Sequence, residues 1–221
     1  MKGKLLYNQI AGQKTARTEA LSDGVFSIAM TLLVLDLKVP VAEAIHNEAG
    51  LLHQLFALGP RFLTYFASFM TLGIFWTGQS TQFNYIERGD RRITWLSMLF
   101  LLFVSLVPFT TAFLSEHIHF KLAIGLYWLN ILAMGAALYV HWLCAYENEY
   151  IRADAGEKQN IDHAIRGRIV KAQALYACGA LLCFVNTYLS ICVIILIQLN
   201  YVLDFFGNGK RKQDAAAGGT A

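Results

Sequence analysis

What most constrains this chain is where its charges are missing. Four long stretches, 62–86, 93–115, 122–146 and 172–203, contain no Asp, Glu, Lys or Arg. An ionised side chain at the middle of a bilayer costs about 2.5–3.5 kcal/mol on insertion scales. A helix of about 20 apolar residues crosses the hydrocarbon layer. The first three runs therefore each fit one crossing. Composition agrees, with 56% hydrophobic and 15% charged residues, where a soluble domain carries about 25% charged. Six crossings would use about 120 positions, which leaves no room for a soluble catalytic domain. The dominance of apolar residues also excludes disorder as the general state.

The fourth run is long for one crossing. Asn186-Thr187-Tyr188 sits at its middle, and Asn and Thr side chains bond back to the backbone in turns, so the spacing predicts a hairpin of two helices. The earliest apolar segment is the shortest: only 24–35 is charge-free, with Asp23 before it and Asp36 and Lys38 after it. Its polar flanks and the lack of a small-residue cleavage site exclude a signal peptide. It can still cross if its ionisable ends face protein or water. Counting it, the sequence predicts an all-α membrane protein in one domain, 1–207, with spans near 19–39, 55–83, 92–115, 121–146, 168–186 and 188–206. A basic, then Ala/Gly-rich tail follows at 208–221, whose composition predicts disorder.

With six spans and an inside N-terminus, fifteen Lys and Arg fall inside and only Lys38, Arg61 and Lys121 fall outside or at the outer rim. Five spans would place Lys210-Arg211-Lys212 outside, against the positive-inside bias. The connector at about 147–168 mixes both signs and resembles a solvated helical linker. Cys144, Cys178, Cys183 and Cys192 lie in apolar runs without a C-x-x-C pair, which argues for packing residues and against a zinc or disulfide framework. His117-x-His119 lacks a nearby third ligand and reads as a solvated loop, so neither metal nor cofactor is expected. His141 is the only histidine within the spans, and they hold no central carboxylate. An intramembrane enzyme therefore lacks its converging groups. A small secondary transporter of a cation or small solute remains the alternative, with Asn130, His141 and Asn186 as its candidate polar groups, although no internal repeat is evident.

On the first segment, Ile28, Leu32 and Leu35 recur at i, i+4 and i+7 and stay within roughly 60° of one another on a helix; Thr31 lies beside them. Spacing alone makes such a stripe a packing face more often than a pore lining. Arg17 and Asp23, six residues apart, are expected to find partners near the membrane boundary, since an unpaired charge there is costly. A mutual pair that fixes the helix start is one option. A network that ties this helix to its neighbours, with the Ser22 hydroxyl added, is the other.

At these residues the sequence resembles the bacterial branch of the transmembrane protein 175 family of endolysosomal potassium channels. The family signature is Arg, three residues, then Phe-Ser-Asp, leading into an apolar helix that ends near a Leu-Asp-Leu-Lys-Val-Pro-like run. Arg17, Ser22 and Asp23 match it, Leu21 replaces the Phe, and 35–40 reads Leu-Asp-Leu-Lys-Val-Pro. The region 62–108 is similar too, with Trp76 late in its helix and Pro108-Phe109 late in the next. Where the family often has histidines after the tryptophan, this chain has Gln79 and Ser80; Gln79 could supply one of the lost hydrogen bonds.

The resemblance implies one six-helix repeat per chain and a homotetramer around the first helices. It implies a potassium-permeable cation channel with modest selectivity over sodium, with protons as a further possible permeant. Bulky apolar rings at Ile28, Leu32 and Leu35 would form the gate, the Thr31 hydroxyl would bear on selectivity, and Arg17, Ser22, Asp23, Trp76 and Gln79 would form the signature network. The expected partners are potassium ions, further copies of the chain and the lipid bilayer, with no nucleic acid. The expected place is the plasma membrane of a prokaryote, with both termini cytoplasmic.

Overall fold

The computed structural model describes residues 15–40, 45 and 47–201. The expected tail at 208–221 and the end of the last expected span lie outside the described residues. Among the described residues seven α-helices follow one another: α1 (Thr15–Leu32), α2 (Glu48–Ala57), α3 (Gly59–Tyr85), α4 (Arg91–Glu116), α5 (Lys121–Glu147), α6 (Ala155–Leu181) and α7 (Thr187–Tyr201). Two 3-10 turns, Leu33–Asp36 and Leu182–Phe184, extend α1 and α6. The only extended pairing among the described residues is one antiparallel bridge, Ile86 with Ile151.

Local chemistry accounts for the boundaries. Pro40 cannot continue a helix, and α1 tightens into its 3-10 turn shortly before it. The Asn47 side chain accepts from Gly50 N at 2.7 Å and caps α2. The segment expected as one span from 55 breaks at Leu58: α2 and α3 meet at a bend of 43°, and Pro60 lies in the first turn of α3, where its missing N–H costs nothing. Asp90 caps α4 by accepting from Ile93 N at 2.9 Å. Asn186 stands between α6 and α7, its side-chain oxygen accepting from Tyr188 N (2.8 Å) and Leu189 N (3.2 Å).

By length and composition α1 with its 3-10 turn, α4 and α5 can each cross a membrane, and the bent α2–α3 pair can count as one more crossing. α6 differs from the expected short span. It is one continuous helix that carries Glu157, Lys158, Asp162, Arg166, Arg168 and Lys171 along 155–171 and is mostly apolar beyond them. The expected solvated linker and fifth span thus share a helix.

Phe26, Leu72, Phe100, Val104, Ile131, Met134 and Tyr176 lie in one buried core built from α1, α3, α4, α5 and α6. Phe100 contacts Phe26 and Phe75 at ring distances of 5.9 and 6.2 Å. Inside this core runs a chain of buried hydroxyls and amides. Thr111 donates to Ser68 (2.7 Å), Ser68 to the Tyr127 hydroxyl (3.2 Å), and Gln198 of α7 to Thr71 (2.7 Å). A smaller cluster of Ile86, Ile93, Trp142, Ala145 and Ile151 closes the end where the bridge lies. There Trp142 donates to Asp162 at 3.0 Å. Of the four free cysteines only Cys183 is buried; Cys178 and Cys192 are exposed on the protomer, so packing within one chain does not account for them.

Candidate functional site

α1 has two unlike faces. Thr18, Ser22, Phe26, Ala29 and Leu33 are buried, a spacing of four, four, three and four that keeps one side of a helix against its neighbours. The other side carries Ile28 (61% exposed), Leu32 (45%) and Leu35 (71%), with Thr31 also exposed. The three candidate pore residues and the candidate selectivity hydroxyl therefore share the face that the protomer does not cover. Thr31 donates its proton to Ile28 O at 2.8 Å, with Ser27 O at 3.1 Å, which leaves its oxygen lone pairs free to accept or to face a cation.

Both ends of α1 are tied down. At the N-terminal end the buried Ser22 hydroxyl donates to the carboxamide oxygen of buried Gln79, and Trp76 Nε1 donates to Asp23 Oδ1 at 2.8 Å. Four of the five signature residues are thus brought together between α1 and α3. Arg17 is not among them: it is exposed and pairs with no described residue, Asp23 included. Residues six apart on a helix sit about 120° apart around the axis, whereas side chains meet at three or four, so the mutual Arg17–Asp23 pair is geometrically unavailable.

At the opposite end the Ser115 hydroxyl donates to Asp36 Oδ2, and Arg61 donates to Asp36 O (3.2 Å) and to Glu116 Oε1 (2.8 Å). Lys38 Nζ lies 3.9 Å from the same Glu116 oxygen. This knot joins the end of α1 to α3 and α4. Sequence reading placed Lys38 and Arg61 at the outer rim but did not pair them. The available signal was opposite charge at the same end of three apolar segments.

The polar residues considered for a transporter do not converge. Asn130 donates to Phe103 O (3.2 Å), His141 Nδ1 meets Gln82 Oε1 (2.8 Å), and Asn186 caps a helix. Because Gln82 Nε2 already donates to Leu138 O at 3.0 Å, its Oε1 is the acceptor and His141 carries its proton on Nδ1. His117 and His119 make tilted and edge-on aromatic contacts, with Phe113 at 4.8 Å and Tyr188 at 5.7 Å.

Comparison with known proteins matches residues 17–108, which hold α1 to α3 and most of α4, to the family model described as endosomal/lysosomal potassium channel TMEM175. A protein of Streptomyces collinus named a potassium channel is 40% identical over 133 residues, 58% of this chain and 63% of that one; the match thus spans less than two thirds of that relative. A potassium channel of Chamaesiphon minutus is 31% identical over 193 residues, 86% of this chain and 94% of that one. The crystal structure of a homologue, from Chamaesiphon minutus, of the lysosomal potassium-selective channel TMEM175 superposes with TM-score 0.73 at 30% identity. It covers 86% of this chain and 97% of its own. Sequence and fold agree along α1 and well beyond it: the chain is a member of the TMEM175 family, a family of channels and not of enzymes.

Proposed function

We propose that the protein is a potassium-permeable cation channel in the plasma membrane of a prokaryote, assembled from four copies with α1 lining the pore. The observation that carries this reading is the asymmetry of α1. The helix is fixed at both ends and buried along one side, yet it leaves Ile28, Leu32 and Leu35 uncovered on the other. Six crossings with both termini cytoplasmic follow from the distribution of Lys and Arg.

Four Ile28 side chains around an axis make an apolar collar. A narrow apolar collar sheds water, and an ion that passes it must leave part of its hydration shell behind. A small outward movement of the helices rewets it, which makes this ring the gate. Leu32 and Leu35 continue the apolar lining. Thr31 supplies hydroxyl oxygens beside it. Potassium surrenders its shell more readily than sodium, so selectivity is modest, and proton passage is a separate question for the same recordings.

The test is recording from purified protein in planar bilayers under bi-ionic conditions, with unitary current steps expected. Ile28→Asn replaces the collar with amides that hold water; potassium flux from liposomes rises and discrimination against sodium falls. Unchanged flux in that variant removes Ile28 from the gate, and a slow, saturating flux without unitary steps moves the protein to the transporter class.

A further inference from the structure

Away from α1, a half-open crevice runs between α3, α5, α6 and the end of α7. One face of α6 forms its wall: Ile165, Ile169, Ala172 and Tyr176 recur at i, i+4, i+7 and i+11 and so stay on one side of the helix. Ile74, Phe75, Gly78 and Leu138 line it opposite. Most of the lining surface is apolar, although Thr81, Gln82 and Gln173 also reach it, and its charged residue is Arg168.

Arg168 is exposed and has no ion pair among the described residues. It stands near enough to the Tyr201 phenol to act on it electrostatically. Its place in the chain is as telling as its surroundings. It lies just before the charge-free run 172–203, so the helix puts this cation where lipid headgroups begin and the apolar wall where acyl chains lie. Arg166, two residues earlier, is occupied by Asp162 at 3.3 Å and the Tyr139 hydroxyl at 3.1 Å. Arg168 has no such partner.

The enclosed space is only about 60 Å³, while sites for soluble small molecules run to about 300–1,000 Å³. It can take a few atoms of a chain but not a whole ligand. Whatever occupies it must lie mostly along the outside of the bundle, against the exposed guanidinium. A soluble anion would gain nothing from the apolar wall, and a lipid without net charge would gain less from Arg168. A molecule with a phosphate at headgroup depth and an alkyl chain below it uses both, and basic recesses between membrane helices bind lipids of this kind.

We propose that the Arg168 crevice is a binding site for an anionic phospholipid, its phosphate on Arg168 and one acyl chain running past Ile169 and Ala172. The headgroup depth rests on the membrane orientation given above; the binding itself does not depend on conduction. The full chain, purified in detergent, is titrated with phosphatidylglycerol or with phosphatidylcholine of the same chains, and bound lipid is counted by native mass spectrometry. Wild type binds phosphatidylglycerol more tightly. A basic side chain at a membrane surface contributes about 1 kcal/mol, so Arg168→Gln weakens phosphatidylglycerol about fivefold and phosphatidylcholine by clearly less, because its trimethylammonium offsets the phosphate charge. Ala172→Phe fills the recess and weakens both lipids; Thr81→Leu does the same with less added volume should that variant fail to fold. The proposal is overturned by equal affinity for the two lipids in wild type. It also fails if Arg168→Gln has no effect, if Arg92→Gln at the start of α4 has an equal effect, or if millimolar inorganic phosphate displaces the lipid. Intact lipid binding in a protein that conducts nothing separates this proposal from the channel reading.

Discussion

Removing the Ser22 hydroxyl strands a buried acceptor. Gln79 is 2% exposed, and its carboxamide oxygen loses the donor from α1, a loss worth about 1–3 kcal/mol when a buried polar atom is left unpaired. Ser22→Ala therefore lowers the melting temperature of the purified protein. Gln79→Leu does the same by orphaning the hydroxyl. The pair Ser22→Ala with Gln79→Leu removes both polar groups together and melts closer to wild type than the two single losses added. Additive losses in that double-mutant cycle would mean the two side chains are not coupled. Of these contacts, the residue types were legible in the sequence: a hydroxyl, a carboxylate, an indole and an amide at the ends of two apolar helices are expensive unless they meet. Their partner choice was only partly legible. Arg17 and Asp23 lie near each other in sequence but not around the helix, while Asp23 and Trp76 are far apart in sequence and adjacent in space. The knot of Asp36, Arg61, Ser115 and Glu116 at the far end of α1 depends on how three helix ends come together, which no local pattern encodes.

At the scale of elements, absence of charge was a good guide to apolar helices and a poor one to where helices stop. α6 runs through six charged positions without a break because its exposed charges are solvated and the buried one, Asp162, is held by Trp142 and Arg166, so hydropathy sees two segments where the backbone makes one. The Leu58 bend was hidden for the converse reason, since apolar residues continue through it. Close approach of α5 and α6 is equally invisible to hydropathy and depends on Gly135. A Cβ there would fall 1.8 Å from Gln173 Nε2, which now donates to Ile131 O at 3.3 Å. Gly135→Ala therefore forces the Gln173 side chain out of its seat. The expected loss is about 1–2 kcal/mol for one hydrogen bond and imperfect repacking, read as a lower melting temperature. Adding Gln173→Ala relieves the clash, so the double variant is more stable than Gly135→Ala alone. If it is less stable, the contact at Gly135 is not what limits the fit.

The whole molecule leaves a large apolar surface uncovered, and not all of it can have the same neighbour. Ile28 and Leu35 on α1 are as exposed as Leu129 on α5 (54%) or Trp95 on α4 (63%), yet in the proposed assembly α1 meets its own copies while Leu129 meets lipid. A disulfide needs Cα atoms within about 7 Å, a separation available where a ring closes tightly and unavailable between side chains that point into the bilayer. The exposed native thiols Cys178 and Cys192 would confuse the readout, so the four native cysteines are first replaced by alanine. Oxidation of Ile28→Cys in this background then yields a cross-linked dimer on a denaturing gel, and Leu129→Cys stays monomeric. Cross-linking at Leu129 with none at Ile28 would turn the protomer around: α1 would face lipid, and the conduction path would have to be sought on another surface of the same fold.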